Sequence, residues 1–251
     1  MRVSLFATCL VDMFFPEVGV ATVRLLRRLG CEVDLPAGQS CCGQPAWNSG
    51  HRPEARQMAE ALVRALEGSD YVVSPSGSCV GMIRTAYPAL FAGDPVWEEK
   101  VRALAARTFE LSEFLVKVLK VDLRQLGATL DDTVAYHTSC HMTRELGLRR
   151  EPLALLDQVA GLERRALERA DLCCGFGGTF SVKLPEVAVA MADDKLDDLR
   201  ASGAKTLVGA DCSCLMHLRG RLEQQGGGPR VRHLAEVLEE ATRPARKGAG
   251  R

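Results

Sequence analysis

Ten cysteines in a chain of 251 residues follow a pattern that occurs twice. Two adjacent cysteines and a glycine, Cys41-Cys42-Gly43, recur as Cys173-Cys174-Gly175, a shift of 132 residues. Each triplet has one cysteine well before it and another well after it, and these flanking residues shift by 131 and 135 positions. The flanking cysteines are Cys9 and Cys79 in the first set, and Cys140 and Cys214 in the second. A nearly constant shift across four cysteines and a glycine indicates an internal duplication.

The duplication predicts two α/β units rather than one large domain. Hydrophobic residues make up 47% of the chain and charged residues 25%, which is ordinary for a globular protein. The charged, glycine-containing stretch 122–132 is the natural boundary. We therefore expect a first domain over residues 1–125, a second over 126–241, and a flexible basic tail over 242–251.

Short apolar runs alternate with helical patterns in both halves. In the first half, Val3–Ala7 and Tyr71–Val73 read as strands, and the apolar spacing after Pro16 reads as a helix. A later helix, 112–119, has Ser112 as a candidate cap. This alternation predicts, in each unit, a small parallel sheet flanked by helices, the two units being related by internal pseudo-symmetry. Ligand sites in such sheets lie outside the carboxyl ends of the strands, where Cys9 and Cys79 would lie.

Composition excludes several classes of function. The net charge is zero, so the chain lacks the basic surface expected of a nucleic-acid-binding protein. No run of eighteen apolar residues predicts a membrane span, and Asp12 interrupts the apolar start of the chain where a signal peptide would be unbroken. We expect a cytoplasmic protein with reduced thiols, in which ten cysteines indicate metal or redox chemistry.

Three interpretations of the eight patterned cysteines compete. Four cysteines could hold a structural zinc ion and stabilise a binding module, although zinc sites usually use pairs spaced by two to four residues rather than adjacent ones. The adjacent cysteines could instead cycle between thiol and disulfide. An iron–sulfur cluster in each half is the third interpretation, since separate iron corners can each take one of two neighbouring thiolates. Cys31 and Cys212 lie outside the pattern and are expected to be small buried residues.

The glycines near the triplets also favour a cluster. Gly43, Gly175, Gly177 and Gly178 would let the backbone approach inorganic sulfur and donate N–H groups to it. The segment 175–178 lacks the dinucleotide-binding fingerprint, and no P-loop lysine follows it.

The doubled motif resembles the cysteine-rich CCG domains found in heterodisulfide reductase and in the iron–sulfur subunit of glycolate oxidase. The stretches QSCCGQPAWNSG, PSGSCVGMI, CCGFGGTFSVK and CSCLMHL look closest to the lactate utilization protein A family. The resemblance implies an iron–sulfur subunit of a multi-protein system that oxidises L-lactate, a small 2-hydroxy acid, to pyruvate. Its implied partners are two other lactate-utilization proteins, a ferredoxin-type iron–sulfur subunit and a small third subunit.

The resemblance also implies the ligands. One or two clusters per chain, of the [4Fe–4S] type, would be held by four cysteines in each half. One departure concerns the fullest CCG pattern, which ends in Cys-x-x-Cys. Ser76 and Asp211 occupy the first cysteine position of that ending, so four thiolates per half remain, which suits a cubane cluster better than a five-cysteine one. The predicted ligands are Cys9, Cys41, Cys42 and Cys79 for one cluster, and Cys140, Cys173, Cys174 and Cys214 for the other.

Catalytic residues are not assigned by the sequence. Oxidation of a 2-hydroxy acid would use a base with a pKa near neutrality, which histidine supplies. His137, His141 and His217 lie near the second set of cysteines in sequence, and His51 and Trp47 follow the first triplet and could wall its site. Nothing in the sequence chooses among them. No flavin or nicotinamide fingerprint is present, so a hydride acceptor would come from a partner.

Overall fold

The computed structural model describes residues 1–244, and within them each half of the chain forms one four-stranded sheet with helices around it. The first-half elements are β1 (Arg2–Leu5), α1 (Cys9–Phe14), α2 (Pro16–Arg28), β2 (Glu32–Asp34), α3 (Gln44–Asn48), α4 (Arg52–Leu66), β3 (Tyr71–Ser74), α5 (Gly77–Gly81), a π-helical turn (Met82–Ala86), α6 (Tyr87–Leu90), α7 (Pro95–Ala106), β4 (Thr108–Glu110), α8 (Leu111–Glu113) and a second π-helical turn (Phe114–Val118).

The second half repeats this order with fewer helices. Its elements are β5 (Thr129–His137), a π-helical turn (His141–Glu145), α9 (Glu151–Leu156), β6 (Ala160–Arg165), α10 (Thr179–Lys183), α11 (Pro185–Ser202), β7 (Thr206–Gly209), α12 (Cys212–Gln224), β8 (Arg230–His233) and α13 (Leu234–Ala241). Residues 245–251 of the predicted basic tail lie outside the described range, and the domain limits stay a prediction. No helix between residues 1 and 244 combines the length and apolar character needed to cross a bilayer.

Both sheets are parallel and have the same strand order, β2-β1-β3-β4 and β6-β5-β7-β8. The pairing register is also the same. Val3 pairs with Tyr71 in the first sheet, and Val134 pairs with Thr206 in the second, which are the equivalent positions under the cysteine shifts. The predicted fold class, two duplicated units with a parallel sheet in each, is therefore confirmed.

The strand order places a crevice in each half. The chain leaves β1 towards β2 on one side and returns to β3 on the other, so β1 and β3 flank a topological switch point, and β5 and β7 flank the equivalent one. Loops leaving the carboxyl ends of such strands diverge and open a crevice. The first and last cysteines of each quartet follow these two strands, so the fold directs them to the crevice.

The two halves share one continuous apolar core. Buried side chains from both sheets, among them Val3 and Leu5 of β1 and Val134 of β5, belong to a single cluster. Helix α2 packs on α13 across the halves, and α9 packs on α8 in the equivalent place. An ion pair between Arg28 and Glu239, 3.0 Å from Nη2 to Oε1, closes the first of these contacts. The large shared core fixes the halves relative to each other.

Some local predictions were wrong at the element ends. Ser112 does not cap the helix that begins after β4. The carboxyl group of Glu110 caps it instead, accepting hydrogen bonds from the backbone N–H groups of Ser112 at 2.8 Å and Glu113 at 3.3 Å. Helix α13 after β8 occupies the place that α8 and the second π-helical turn occupy after β4. The edge strand β6 and the helix α1 were not predicted at all.

The glycine of each triplet ends the cysteine loop against a helix. Gly43 and Gly175 have φ of 84° and 89°, a left-handed conformation that glycine adopts without steric cost. A Cβ on Gly43 would lie 3.1 Å from the carbonyl oxygen of Ala55 in α4. On Gly175 it would collide with the carbonyl oxygen of Ala188 in α11. The glycines therefore allow the loop backbone to lie directly on the helix and fix the adjacent thiols.

The last strand of each sheet ends in a buried ionisable residue that caps the next helix. Glu110 ends β4, and His233 occupies the same register position at the end of β8. Burial raises the pKa of the Glu110 carboxyl to about 8 and lowers the pKa of the His233 imidazole to about 4. His233 Nδ1 accepts from the N–H of Ala235, and its Nε2 donates to the carbonyl of Pro75, each at 3.0 Å. Both residues are thus held uncharged.

We predict that Gly175→Ala destabilises the fold more than Gly203→Ala does. Both glycines have positive φ, so either substitution costs roughly 1 to 2 kcal/mol in backbone strain. A Cβ at position 203 meets nothing within 4 Å, whereas at 175 it strikes the backbone of α11, which must move. Urea unfolding of both variants measures the difference, and equal losses would show that the loop is not held against α11.

We predict an acid-side loss of stability that depends on His233. Its folded pKa of about 4 lies below the usual 6.5, so the unfolded chain binds more protons between these values. The unfolding free energy should therefore fall as the pH is lowered through that window, by up to about 1.4 kcal/mol per pH unit. Urea titrations at several pH values should show a flatter profile for His233→Asn, while the exposed His51→Asn keeps the wild-type slope. Identical slopes for all three proteins would contradict this assignment.

Candidate functional site

The first four patterned cysteines meet at the crevice of the first sheet. Cys9 begins α1 after β1, and Cys79 lies in α5 after β3. The adjacent pair enters from the loop before α3. The Sγ atoms of Cys9 and Cys41 are 3.6 Å apart, and those of Cys42 and Cys79 are 3.5 Å apart. The chain fold therefore brings together four residues that are up to 70 positions apart in sequence.

The second four cysteines repeat the arrangement. Cys140 precedes the π-helical turn after β5, and Cys214 lies in the first turn of α12 after β7. The thiol of Cys173 interacts with Cys140 and with Cys174, and the thiol of Cys174 interacts with Cys214. Each half thus holds a row of four sulfurs in the same order along the chain. All ten cysteines of the chain are free thiols.

Both rows of sulfurs line one cavity of about 320 Å³ between the halves. All eight patterned cysteines contribute to its wall. Phe176, Val182 and Leu10 supply apolar surface, and Gln44 and Asn48 supply amides. No lysine or arginine is among the described residues that line it. The two predicted sites are therefore neighbours that open on a shared space.

The thiols of each row shift one another's pKa in opposite directions. Hydrogen bonds from Cys42 and then Cys9 lower the pKa of the Cys41 thiol to about 3. Hydrogen bonds from Cys140 and then Cys174 lower the pKa of the Cys173 thiol to about 2. The pKa of Cys9 is raised, chiefly because its S–H donates to Cys41. Each row therefore carries at least one readily formed thiolate, Cys41 in the first half and Cys173 in the second.

Backbone N–H groups of the triplet loop point at sulfur. The N–H of Gly175 lies 3.4 Å from Sγ of Cys173, and the N–H of Phe176 lies 3.5 Å from Sγ of Cys174. Such donors stabilise negative charge on a thiolate without a charged side chain. They support the prediction that glycines around the triplet serve a cluster of bound sulfur and metal.

The spacing of the first row does not match a mononuclear zinc site. Tetrahedral zinc with thiolates would place all four sulfurs about 3.8 Å from one another. Between residues 1 and 244, only one group of three His, Cys, Asp or Glu residues has ligand atoms all within 4.8 Å of one another, and it lies in the second half. The thiols of Cys9, Cys41, Cys42 and Cys79 are therefore close in pairs and more widely spread as a set. This donor set fits a larger, multi-iron group better than one small ion.

That compact group consists of His137, Cys174 and Cys214. His137 ends β5 and is 1% exposed. Neither ring nitrogen has a hydrogen-bond partner within the described chain. The pKa of Cys214 is lowered to about 6, first by Cys174 and then, against burial, by the charge of His137. The sequence placed His137 near the second set of cysteines, and the structure places its ring beside two of them.

The two positions that depart from the full CCG pattern lie at the junction of the halves. Ser76 and Asp211 form an antiparallel bridge with each other. Ser76 Oγ accepts from the N–H of Cys79 at 3.4 Å, and Asp211 accepts from the N–H groups of Ser78 at 2.8 Å and Ser213 at 3.2 Å. Both side chains therefore cap helices as hydrogen-bond acceptors, and that of Asp211 also joins the halves.

The two cysteines outside the pattern are in packing positions. Cys31 and Cys212 are 6% and 1% exposed and belong to the shared core. Burial raises the pKa of both thiols. The position equivalent to Cys212 is Gly77, where any Cβ would collide with the side chain of Met142. Although Cys212 borders the cavity, its place in the core agrees with the expectation of a small buried residue.

The other histidines have different surroundings. Nδ1 of His141 lies 3.6 Å from Sγ of Cys140, and the ring borders the cavity. His217 instead has Nε2 3.2 Å from the carbonyl of Ala188 and does not border it. His51 and Trp47, which were expected to wall the first site, are also not among the lining residues. Trp47 packs instead against the buried cluster that contains Cys42 and Cys79, and His51 precedes helix α4.

Comparison with known proteins agrees with the duplication. The family model of the CCG cysteine-rich domain matches residues 3–84 and again residues 134–219. Each match contains one complete row of four cysteines.

Full-length relatives carry one name. The chain is 53% identical to "Lactate utilization protein A" of Geobacillus kaustophilus over 95% of its own length and 98% of the relative's. It is 52% identical to the Bacillus subtilis protein of that name, over 95% and 99% of the two chains. The Halalkalibacterium halodurans protein of that name is 48% identical, over 97% and 98%. The chain therefore belongs to the lactate utilization protein A family and carries the CCG cysteine-rich domain twice.

Proposed function

We propose that this chain is an iron–sulfur electron-transfer subunit of a multi-protein system that oxidises L-lactate to pyruvate. The observation that carries the proposal is the pair of equivalent thiol rows at the two switch points, facing one cavity. The substrate is inferred from the name that the relatives carry. Two partner proteins of the same system would supply the remaining chemistry.

The residues available for the group are the eight cysteines of the two rows. Cys9, Cys41, Cys42 and Cys79 would hold one [4Fe–4S] cluster, and Cys140, Cys173, Cys174 and Cys214 the other. Each cluster, when bound, supplies a site that gains or loses one electron. Lactate oxidation to pyruvate releases two electrons and two protons, so two such sites match the number of electrons.

The protein surroundings support this role. The cavity wall offers no lysine or arginine in its described residues, so the charge of four thiolates in a row must be balanced by bound metal and by backbone donors. Apolar side chains such as Phe176 and Leu10 line the cavity beside the sulfurs. Such shielding and hydrogen bonding set the potential of an iron–sulfur site.

Two other functions are favoured by single observations. The compact trio His137, Cys174 and Cys214 would suit zinc, which would make the chain a metal-stabilised binding module. The short Cys42–Cys79 distance of 3.5 Å would suit a thiol–disulfide enzyme. The iron, acid-labile sulfide and zinc contents of the chain, all measured under strict exclusion of oxygen, distinguish the three functions. Zinc without iron would support the first, and a metal-free active chain would support the second.

We predict that Cys41→Ser lowers iron, sulfide and visible absorption by roughly half, because it removes one ligand of one of two sites. Cys173→Ser should do the same in the other half. Cys31→Ser is the matched control, since this thiol is equally reduced but lies in the core away from the cavity. Loss of the chromophore in Cys31→Ser with its retention in Cys41→Ser would contradict the ligand assignment.

We predict that lactate reduces the chromophore of this chain only when both partner proteins are present. The described cavity contains thiols and amides but no nucleotide-binding loop, so the hydride or electron-pair acceptor should lie on another chain. Anaerobic spectra after lactate addition, with each partner omitted in turn, measure the requirement. Rapid lactate-dependent bleaching of the isolated chain would contradict the subunit role.

A further inference from the structure

His137 is a buried histidine that the protein itself leaves without a partner. The residue is 1% exposed, and both Nδ1 and Nε2 lack a hydrogen bond within the described chain. A buried polar group without a partner costs free energy, so such groups in native proteins usually face water, an ion or a ligand. The imidazole is therefore placed for something that the polypeptide does not supply.

Its surroundings identify that missing partner by chemistry. A ring nitrogen of His137 and the sulfurs of Cys174 and Cys214 all lie within 4.8 Å of one another. The row of four thiols already offers one ligand for each iron corner of a four-iron cluster. The imidazole is then not needed as an iron ligand. It can instead donate a hydrogen bond from its N–H group to sulfur.

The first half has no such donor. The shift of 131 residues and the strand register make Phe6 the equivalent of His137. Phe6 is fully buried and packs with Cys42 and Cys79, as His137 does with Cys174 and Cys214. A phenyl ring cannot donate a hydrogen bond, so one half presents an apolar ring to its sulfurs and the other presents an N–H donor.

The neighbouring strand differs in the same place. Ser74 lies beside Phe6, and its hydroxyl donates to the carbonyl oxygen of Phe6 at 3.1 Å. Its equivalent is Gly209, which pairs with His137. A Cβ on Gly209 would lie 2.9 Å from Cδ2 of Leu215 and 3.7 Å from Cβ of His137. The second half is thus built with a smaller residue beside its histidine.

Resting on the proposed cluster in each half, we propose that His137 donates a hydrogen bond to sulfur of the second-half cluster and makes the two sites unequal. A donor to sulfur stabilises the additional negative charge of the reduced state. The second-half site therefore has the higher reduction potential, and an electron held by the chain resides preferentially there. His137 acts as a positioning and tuning residue, with no bond made or broken.

The test is a redox titration of the full chain loaded with both clusters, followed by EPR. Replacing the donor with its first-half equivalent, His137→Phe, should lower one midpoint potential by at least about 59 mV, a tenfold change in the one-electron equilibrium constant, and leave the other unchanged. The reciprocal Phe6→His should raise the other midpoint. His217→Phe is the control, because that ring nitrogen is already bonded to the Ala188 carbonyl.

A second measurement keeps His137 in place. With ¹⁵N-labelled histidine, pulsed EPR of the reduced second-half signal should show a weak nitrogen coupling, as a hydrogen-bonded imidazole gives. The coupling should persist in His141→Leu, which removes the other ring nitrogen near this row, 3.6 Å from Sγ of Cys140. A strong coupling would show direct ligation to iron and overturn the donor role, and no coupling would overturn the proposal altogether. This result decides the matter if His137→Phe does not retain its cluster.

The outcomes also separate this inference from the function on which it rests. Unchanged potentials in His137→Phe, with iron and sulfide retained in both halves, overturn the inference alone. A wild-type chain with no iron or sulfide overturns the proposed function, and the inference with it.

Discussion

Like charges held close together are the constraint on which this structure depends. Four thiols in each half lie in a row, and the rows face each other across one cavity. Adjacent thiolates repel strongly in a site that excludes water, and no described lysine or arginine borders the space. Backbone N–H groups, such as that of Gly175 to Cys173, offset part of this charge. A bound metal group would balance the negative charge that remains on the thiolates. The fold therefore holds the thiols close together without neutralising their charge itself.

Sheet topology and two glycines determine where the cysteines of each row lie. The switch points beside β1 and β5 direct the first and last cysteine of each row into a crevice. The adjacent pair arrives from a loop with no strand to hold it, so its position depends on how closely it lies on a helix. Gly43 and Gly175 allow that contact in a backbone conformation that other residues rarely adopt. The glycine of the CCG triplet thus positions the two thiols that we propose as ligands.

The sequence was sufficient for the parts of this arrangement that repeat. The shifts of the cysteines predicted the duplication and the grouping of the cysteines into two sets of four. The alternation of apolar runs with helical patterns predicted the parallel sheets. It did not predict β6, whose charged residues lack an apolar pattern, nor the cap at Glu110, where burial rather than residue type decides. The shared cavity could not be predicted from the sequence either, since the cavity depends on how the two halves pack together. Likewise, alternation along β5 could not tell whether His137 or its neighbours face the sulfurs.

Docking also explains the departures from a perfect repeat. Ser76 and Asp211 are equivalent positions, yet they contact each other, so a pseudo-twofold axis passes between them. Near such an axis the two copies of one position meet directly. Asp211 can therefore accept an N–H from its own half at Ser213 and one from the other half at Ser78. A cysteine there would offer sulfur to a metal but a weak acceptor to the junction. Where the copies meet, equivalent residues therefore differ between the halves. His137 and Phe6 are a second such pair, since each lies in its half beside the cysteines or in the same buried cluster.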